Sequence, residues 1–106
     1  MLIFVKFFFN RFYHCVNGVP FFAMGADYIP EDNILSRVTA DRTRWLFEQA
    51  KDCHFNAMRV WGGGYYPDGF FFDACDELGI VVFLDMMVAC CNLPELDEIR
   101  DEFAAE

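Results

Sequence analysis

The sequence predicts an α/β fold built on a parallel sheet, and three observations predict it. Strand-like apolar runs alternate with amphipathic helical stretches along most of the chain. An Asn17-Gly18 dipeptide between two apolar runs marks a hairpin ahead of that alternation. Residues 80–84 are apolar without interruption, the pattern of a parallel strand covered on both faces.

The elements follow in order. Residues 1–9 form a short apolar run broken by Lys6. The run lacks the basic lead and small-residue cleavage site of a signal peptide, and it falls short of the roughly 20 residues that span a bilayer. It is expected as an edge strand or an N-terminal extension. Residues 11–16 and 19–26 are the two arms of the hairpin, because Asn-Gly readily adopts the positive φ angles of a tight turn. Residues 28–38, with Pro30, Glu31, Asp32, Asn33 and Ser36, have no steady period and read as a long surface loop. Thr39 is placed to cap the first helix, Asp41 suits its positive end, and Leu46, Ala50 and Cys53 recur as one apolar stripe. A short strand over 55–61 ends in Gly62-Gly63-Gly64. Asp68 caps a second helix whose Phe70, Phe71, Ala74, Cys75 and Leu78 share a face, and Gly79 suits the left-handed residue that closes it. After the strand at 80–84, Leu96, Ile99 and Phe103 give a third helix following Pro94. The order is hairpin, strand, helix, strand, helix, strand, helix. Three parallel strands leave two unpaired edges and apolar faces that a closed sheet would bury.

Composition narrows the function. The chain has 106 residues, enough for one domain, and it is 56% hydrophobic with 14 Phe. So small a domain leaves much of that surface wet unless further chain or a partner covers it. The net charge of -9 repels phosphate backbones and anionic lipid, which argues against nucleic-acid and membrane-surface roles and favours a neutral substrate. Five Cys, at 15, 53, 75, 90 and 91, are odd in number and form no C-x-x-C pair. They suggest neither a disulfide framework nor a zinc site, and reduced thiols imply a cytoplasmic setting. His14 and His54 have no partner at ligand spacing, so no metal is expected, and no cofactor motif is present. The triple glycine lacks G-x-G-x-x-G spacing and a following Lys, which argues against a nucleotide.

In parallel α/β folds the site forms where strands end. Those ends are Gly25-Ala26-Asp27-Tyr28, Arg59-Val60-Trp61-Gly62-Gly63-Gly64 and Asp85-Met86-Met87, with Cys90-Cys91 following. Here the sequence resembles a known family. The runs VNGVPFFAMGADYIPED (16 to 32), RVWGGGYYPD (59 to 68) and CDELGIVVFLDMMVAC (75 to 90) are similar to the barrel start of glycoside hydrolase family 2 β-mannosidases.

The resemblance implies a partial (β/α)8 TIM barrel. Residues 1–12 would be an extension or edge strand, and residues 13–106 the first third of a catalytic domain. It implies a retaining glycosidase that removes terminal β-D-mannose through two Glu residues, one acid/base and one nucleophile, on the fourth and seventh barrel strands. Neither is present: the seven Glu, at 31, 48, 77, 95, 98, 102 and 106, fall on predicted helices and loops. It also implies a substrate-facing wall. Arg59 would keep the nucleophile ionised, Trp61 would stack on a sugar face, Asp27 and Asp85 would accept from hydroxyls, and Cys90 would line the pocket. The chain departs from the family pattern at Asp27, where Asn is more usual, and at Phe83-Leu84-Asp85-Met86, which stands for Trp-Gln-Asp-Phe.

Plainer readings stand beside these. Arg59 could form a structural ion pair with Asp27 or Asp85, Trp61 could be core, and Cys90 and Cys91 could be packing thiols. The expected partners are a β-mannoside and either the remaining barrel segment or a second copy. The rival functions are a non-catalytic carbohydrate-binding or interaction module that docks onto the rest of a barrel, and a small flavodoxin-like nucleotide binder.

Overall fold

The structure is a computed structural model; it describes the backbone of residues 3–8, 11–90, 101 and 104, and the side chains of 13–90, 101 and 104. The expected third helix and Cys91 lie outside the described residues.

Two three-stranded sheets follow one another along the chain. The first is an antiparallel meander of β1 (Ile3–Phe8), β2 (Arg11–Val16) and β3 (Val19–Phe21). Its second turn is Asn17-Gly18, with φ of 50° and 82°, the positive angles the dipeptide predicts. The second sheet is parallel, with β4 (Gly25–Tyr28), β5 (Ala57–Val60) and β6 (Val81–Leu84) in that spatial order. Helix α1 (Ala40–Asp52) connects β4 to β5, and α2 (Gly69–Leu78) connects β5 to β6.

The run over 19–26 was expected to be one hairpin arm, and the structure splits it at 22–24. Asn56 is the cause. Its Oδ1 accepts from the Met24 N–H at 2.8 Å and its Nδ2 donates to the Phe22 carbonyl at 3.0 Å. One amide side chain thus satisfies both sides of the corner where the chain leaves the meander for the parallel sheet. Beyond it, a Cβ on Gly25 would overlap the carbonyl of Ala57, so only glycine lets the two strands start this close together.

The core lies between the parallel sheet and its two helices: Tyr28, Phe47, Met58, Val60, Phe71, Ala74, Cys75 and Ile80. The Phe71 ring centroid sits 4.8 Å from that of Tyr28 and 4.9 Å from that of Phe47, both edge-to-face. This geometry adds to the gain from area alone. Helix α1 buries Thr43 and Phe47 fully, beside the expected stripe of Leu46, Ala50 and Cys53. Leu46 and Ala50 flank the core and Cys53 is exposed at the helix end. Helix α2 buries Phe71, Ala74 and Cys75 and closes at Gly79 in the left-handed conformation, as its sequence predicts.

Side chains alternate across each strand, so β4 to β6 send Tyr28, Met58 and Val60 toward the helices and Asp27, Arg59 and Phe83 the other way. That other face is open among the described residues. Phe83 is 57% exposed, and a groove of about 800 Å³ runs over the face, bounded by His14 and Phe21 from the meander. The strand over 80–84 was expected to be covered on both faces. Within the described residues the helices cover only one.

Candidate functional site

The three parallel strands end in register, and register builds the site. Asp27 pairs with Arg59 across β4 and β5, and Arg59 with Phe83 across β5 and β6. Asp85 lies one residue past the end of β6, two beyond Phe83, and so projects from the same face. Arg59 bridges the two acids. Its Nη2 lies 2.6 Å from Asp85 Oδ2 and its Nε 3.2 Å from Oδ1, a two-pronged grip, while Nη1 reaches Asp27 Oδ1 at 3.2 Å. The Gly62 N–H donates to Asp85 Oδ2 at 3.2 Å. The sequence-level alternative for Arg59 is therefore met in part: the ion pairs form, but Arg59 and Asp27 stand half in solvent.

Charge follows from these bonds. Hydrogen bonding from Arg59 holds the Asp85 carboxyl below its ordinary range; partial desolvation opposes this and the Gly62 N–H reinforces it. Two carboxylates against one guanidinium leave the cluster with one net negative charge. Such a surface offers acceptors to hydroxyl groups and repels anions.

The glycines after β5 fix what surrounds the cluster. A Cβ on Gly62 would overlap the Met86 carbonyl, and the Gly62 carbonyl accepts from the Ala89 N–H at 3.0 Å. A Cβ on Gly63 would overlap the Trp61 ring, so the indole lies directly over this residue, partly exposed rather than in the core. Gly64 sits close against the Pro30 ring, where a Cβ would make a tight contact at 3.0 Å. Farther along, the Tyr66 hydroxyl accepts from the Met87 N–H at 3.4 Å. The triple glycine is thus a seam that lets two loops and an aromatic ring close on the strand ends. Cys90 is exposed, with a φ of 63°, and ends the segment tied to Gly62 through Ala89. Among the described residues no group of three or more His, Cys, Asp or Glu is arranged to hold a metal ion.

One cluster was not visible in the sequence. Glu31, read as part of a surface loop, has a side chain only 3% exposed. Its Oε1 accepts from the Tyr28 hydroxyl at 2.8 Å and from Thr43 Oγ1 at 2.6 Å. Its Oε2 has no hydrogen bond and faces Arg42 Nε at 3.5 Å as an ion pair. Burial first, and then the bond to Glu31, push the Tyr28 phenol well above its ordinary value. The partners sit 3 and 12 residues from Glu31 and carry no shared spacing signal, so only the fold reveals them.

Curated relatives share this stretch. The β-mannosidase of Capra hircus is 43% identical over 95 residues, 86% of this chain, and that of Bos taurus 42% over the same share. β-Mannosidase B of Aspergillus clavatus is 47% identical over 97 residues, 88% of the chain. The chain belongs with the β-mannosidases. Its fold agrees: the crystal structure of the β-D-mannosidase from Dictyoglomus thermophilum superposes on 89% of the chain with a TM-score of 0.86 at 39% identity. An exo-chitosanase from Amycolatopsis orientalis shares the fold alone, at a TM-score of 0.67 and 24% identity over 85% of the chain. No protein-family model matches the chain. The chain spans about 11 to 12% of the length of these β-mannosidases. No described helix is long and apolar enough to cross a membrane.

Proposed function

We propose that the chain is the opening third of a (β/α)8 glycosidase barrel and supplies one wall of a pocket for terminal β-D-mannose. The observation that carries this reading is the Asp27–Arg59–Asp85 cluster, built at the carboxyl ends of three parallel strands, with the partly exposed Trp61 ring on the loop that follows β5. Carboxylate acceptors beside an aromatic face suit a neutral sugar, whose hydroxyls donate while its C–H patch stacks. In this reading residues 13–106 belong to the catalytic domain and residues 1–12 are an extension whose β1 edges the meander.

The chemistry is that of a retaining hydrolase whose two Glu residues lie on the rest of the barrel. Asp27 and Asp85 accept from sugar hydroxyls, Trp61 stacks, and Cys90 lines the pocket. Arg59 faces the nucleophile while anchored by the two acids, and its fixed charge favours the ionised carboxylate. The remaining barrel segment covers the open sheet face around Phe83.

A graft tests the reading. Residues 13–90 replace the matching segment of the Dictyoglomus thermophilum enzyme, and hydrolysis of an aryl β-mannoside is followed. The graft is expected to turn over substrate, Arg59→Ala within it to lower kcat/KM by about 100-fold, and the chain alone to be inactive. Hydrolysis by the chain alone, or a folded graft indifferent to Arg59→Ala, refutes the proposal.

A further inference from the structure

We propose that Glu31 is a positioning residue that fixes Asp27 from the opposite side of the sheet. The proposal rests on the reading of Asp27 as a sugar-facing group. The only ion pair of the Asp27 side chain among the described residues is to Arg59, and the carboxylate stands half in solvent. Its aim is therefore set by the backbone at the end of β4, and that backbone is held through the next residue. Tyr28 is buried between Phe47 and Phe71, and its carbonyl accepts from the Trp61 N–H at 3.1 Å. The far end of its ring is tied by the hydroxyl to Glu31 Oε1.

Glu31 joins three parts of the fold at one carboxylate. Tyr28 comes from β4, Thr43 from the first turns of α1, and Glu31 itself from the loop between them. Arg42 closes the joint from outside, with Nη2 donating to the Glu31 carbonyl at 2.8 Å and Nη1 to Asp32 Oδ2 at 3.1 Å. Without the Glu31 carboxylate, two buried hydroxyls lose their acceptor, and such loss is costly enough to force a rearrangement. The segment free to rearrange is the loop and the last residues of β4, because α1 is held by its own packing.

The test is carbon and nitrogen NMR of the whole chain with Glu31→Ala, Glu31→Gln and Thr43→Val. In Glu31→Ala the Asp27 carboxyl resonance is expected to move, and the Trp61 amide to exchange roughly tenfold faster, while the Phe47 and Phe71 ring signals stay in place. Glu31→Gln keeps an acceptor oxygen and is expected to restore the Asp27 signal, a rescue that loss of packing alone does not predict. Should Glu31→Ala fail to fold, Thr43→Val decides: an Asp27 shift with undisturbed ring signals supports the proposal, and an unmoved Asp27 overturns it. Equal displacement in the Ala and Gln variants also overturns it. Titration of the Dictyoglomus thermophilum graft carrying residues 13–90 with methyl β-D-mannoside separates the two ideas. If a folded graft does not bind the sugar yet Asp27 of the chain moves and is rescued, the role of Glu31 stands and the sugar reading falls.

Discussion

Replacing Phe47 with Ala asks which face of the parallel sheet carries the stability. Phe47 is fully buried, 0% exposed, and its ring meets those of Tyr28 and Phe71 at centroid distances of 6.2 and 4.9 Å. A buried Phe truncated to Ala loses its transfer energy and leaves a cavity, about 3–5 kcal/mol together. Each lost aromatic pair contributes up to about 1 kcal/mol of that cost. A chain of this length has a stability of about 5–15 kcal/mol, and one whose sheet is covered on a single face belongs near the bottom of that range. Phe47→Ala is therefore expected to remove most of the stability. Phe83→Ala, on the open face at 57% exposure, is expected to change it by less than about 0.5 kcal/mol. Urea titration followed by far-UV circular dichroism measures both. A cost below about 1 kcal/mol for Phe47→Ala, or a larger cost for Phe83→Ala than for Phe47→Ala, refutes the assignment of the core to the helix side.

Other outcomes follow from the site and its surroundings. Gly63→Ala is expected to push the Trp61 ring off its seat, shifting the Trp61 indole N–H signal in NMR and leaving that of Trp45, which stands 60% exposed on α1, unchanged. Asp32 and Asp85 both have carboxyls lowered from 3.8, the first chiefly by the Ile34 N–H and the second chiefly by Arg59. Groups lowered on folding stabilise above their unfolded value, so their contribution is full at neutral pH and is lost as pH falls below about 3.8 through the native values. Urea midpoints at pH 6 and pH 3 check this, and Asp85→Asn is expected to shrink the difference. Burial pushes the Cys75 thiol up to about 12, with Asp76 adding to the shift, whereas Cys53 and Cys90 are exposed. Iodoacetamide at pH 8 is expected to label Cys53 and Cys90 in the native chain and Cys75 only after unfolding, as peptide mapping would show.

The sequence disclosed what depends on local pattern. Asn17-Gly18 turns, Thr39 accepts from the Arg42 N–H at the start of α1, Gly79 closes α2, and the order of strands and helices stands as read up to β6. Asp27, Arg59 and Asp85 were nominated because strand ends gather in one place, and parallel register then brings them within hydrogen-bond reach. What stayed hidden depends on distant partners. The interruption of the strand at 22–24 is made by Asn56, more than thirty residues away, and no local signal at 19–26 announces it. The buried side of α1 was read in part by counting apolar residues: Leu46 and Ala50 pack on the core, but Thr43 is buried through its bond to Glu31 and Cys53 sits past the last turn. Glu31 looked like solvent-facing polarity in a loop, and only a tertiary acceptor site makes it otherwise.

The two outer strands of the parallel sheet, β4 and β6, run in the same direction, which limits how this chain can meet a copy of itself. A two-fold dimer through either rim would set a strand against its own twin running the opposite way. Extending the parallel order needs the β6 rim of one molecule against the β4 rim of the next, a head-to-tail contact that repeats instead of closing unless the rotation between neighbours completes a ring. The charge of -9 on each copy opposes such stacking at low ionic strength, and added salt weakens that opposition. Turbidity of the isolated chain should therefore rise with salt rather than fall.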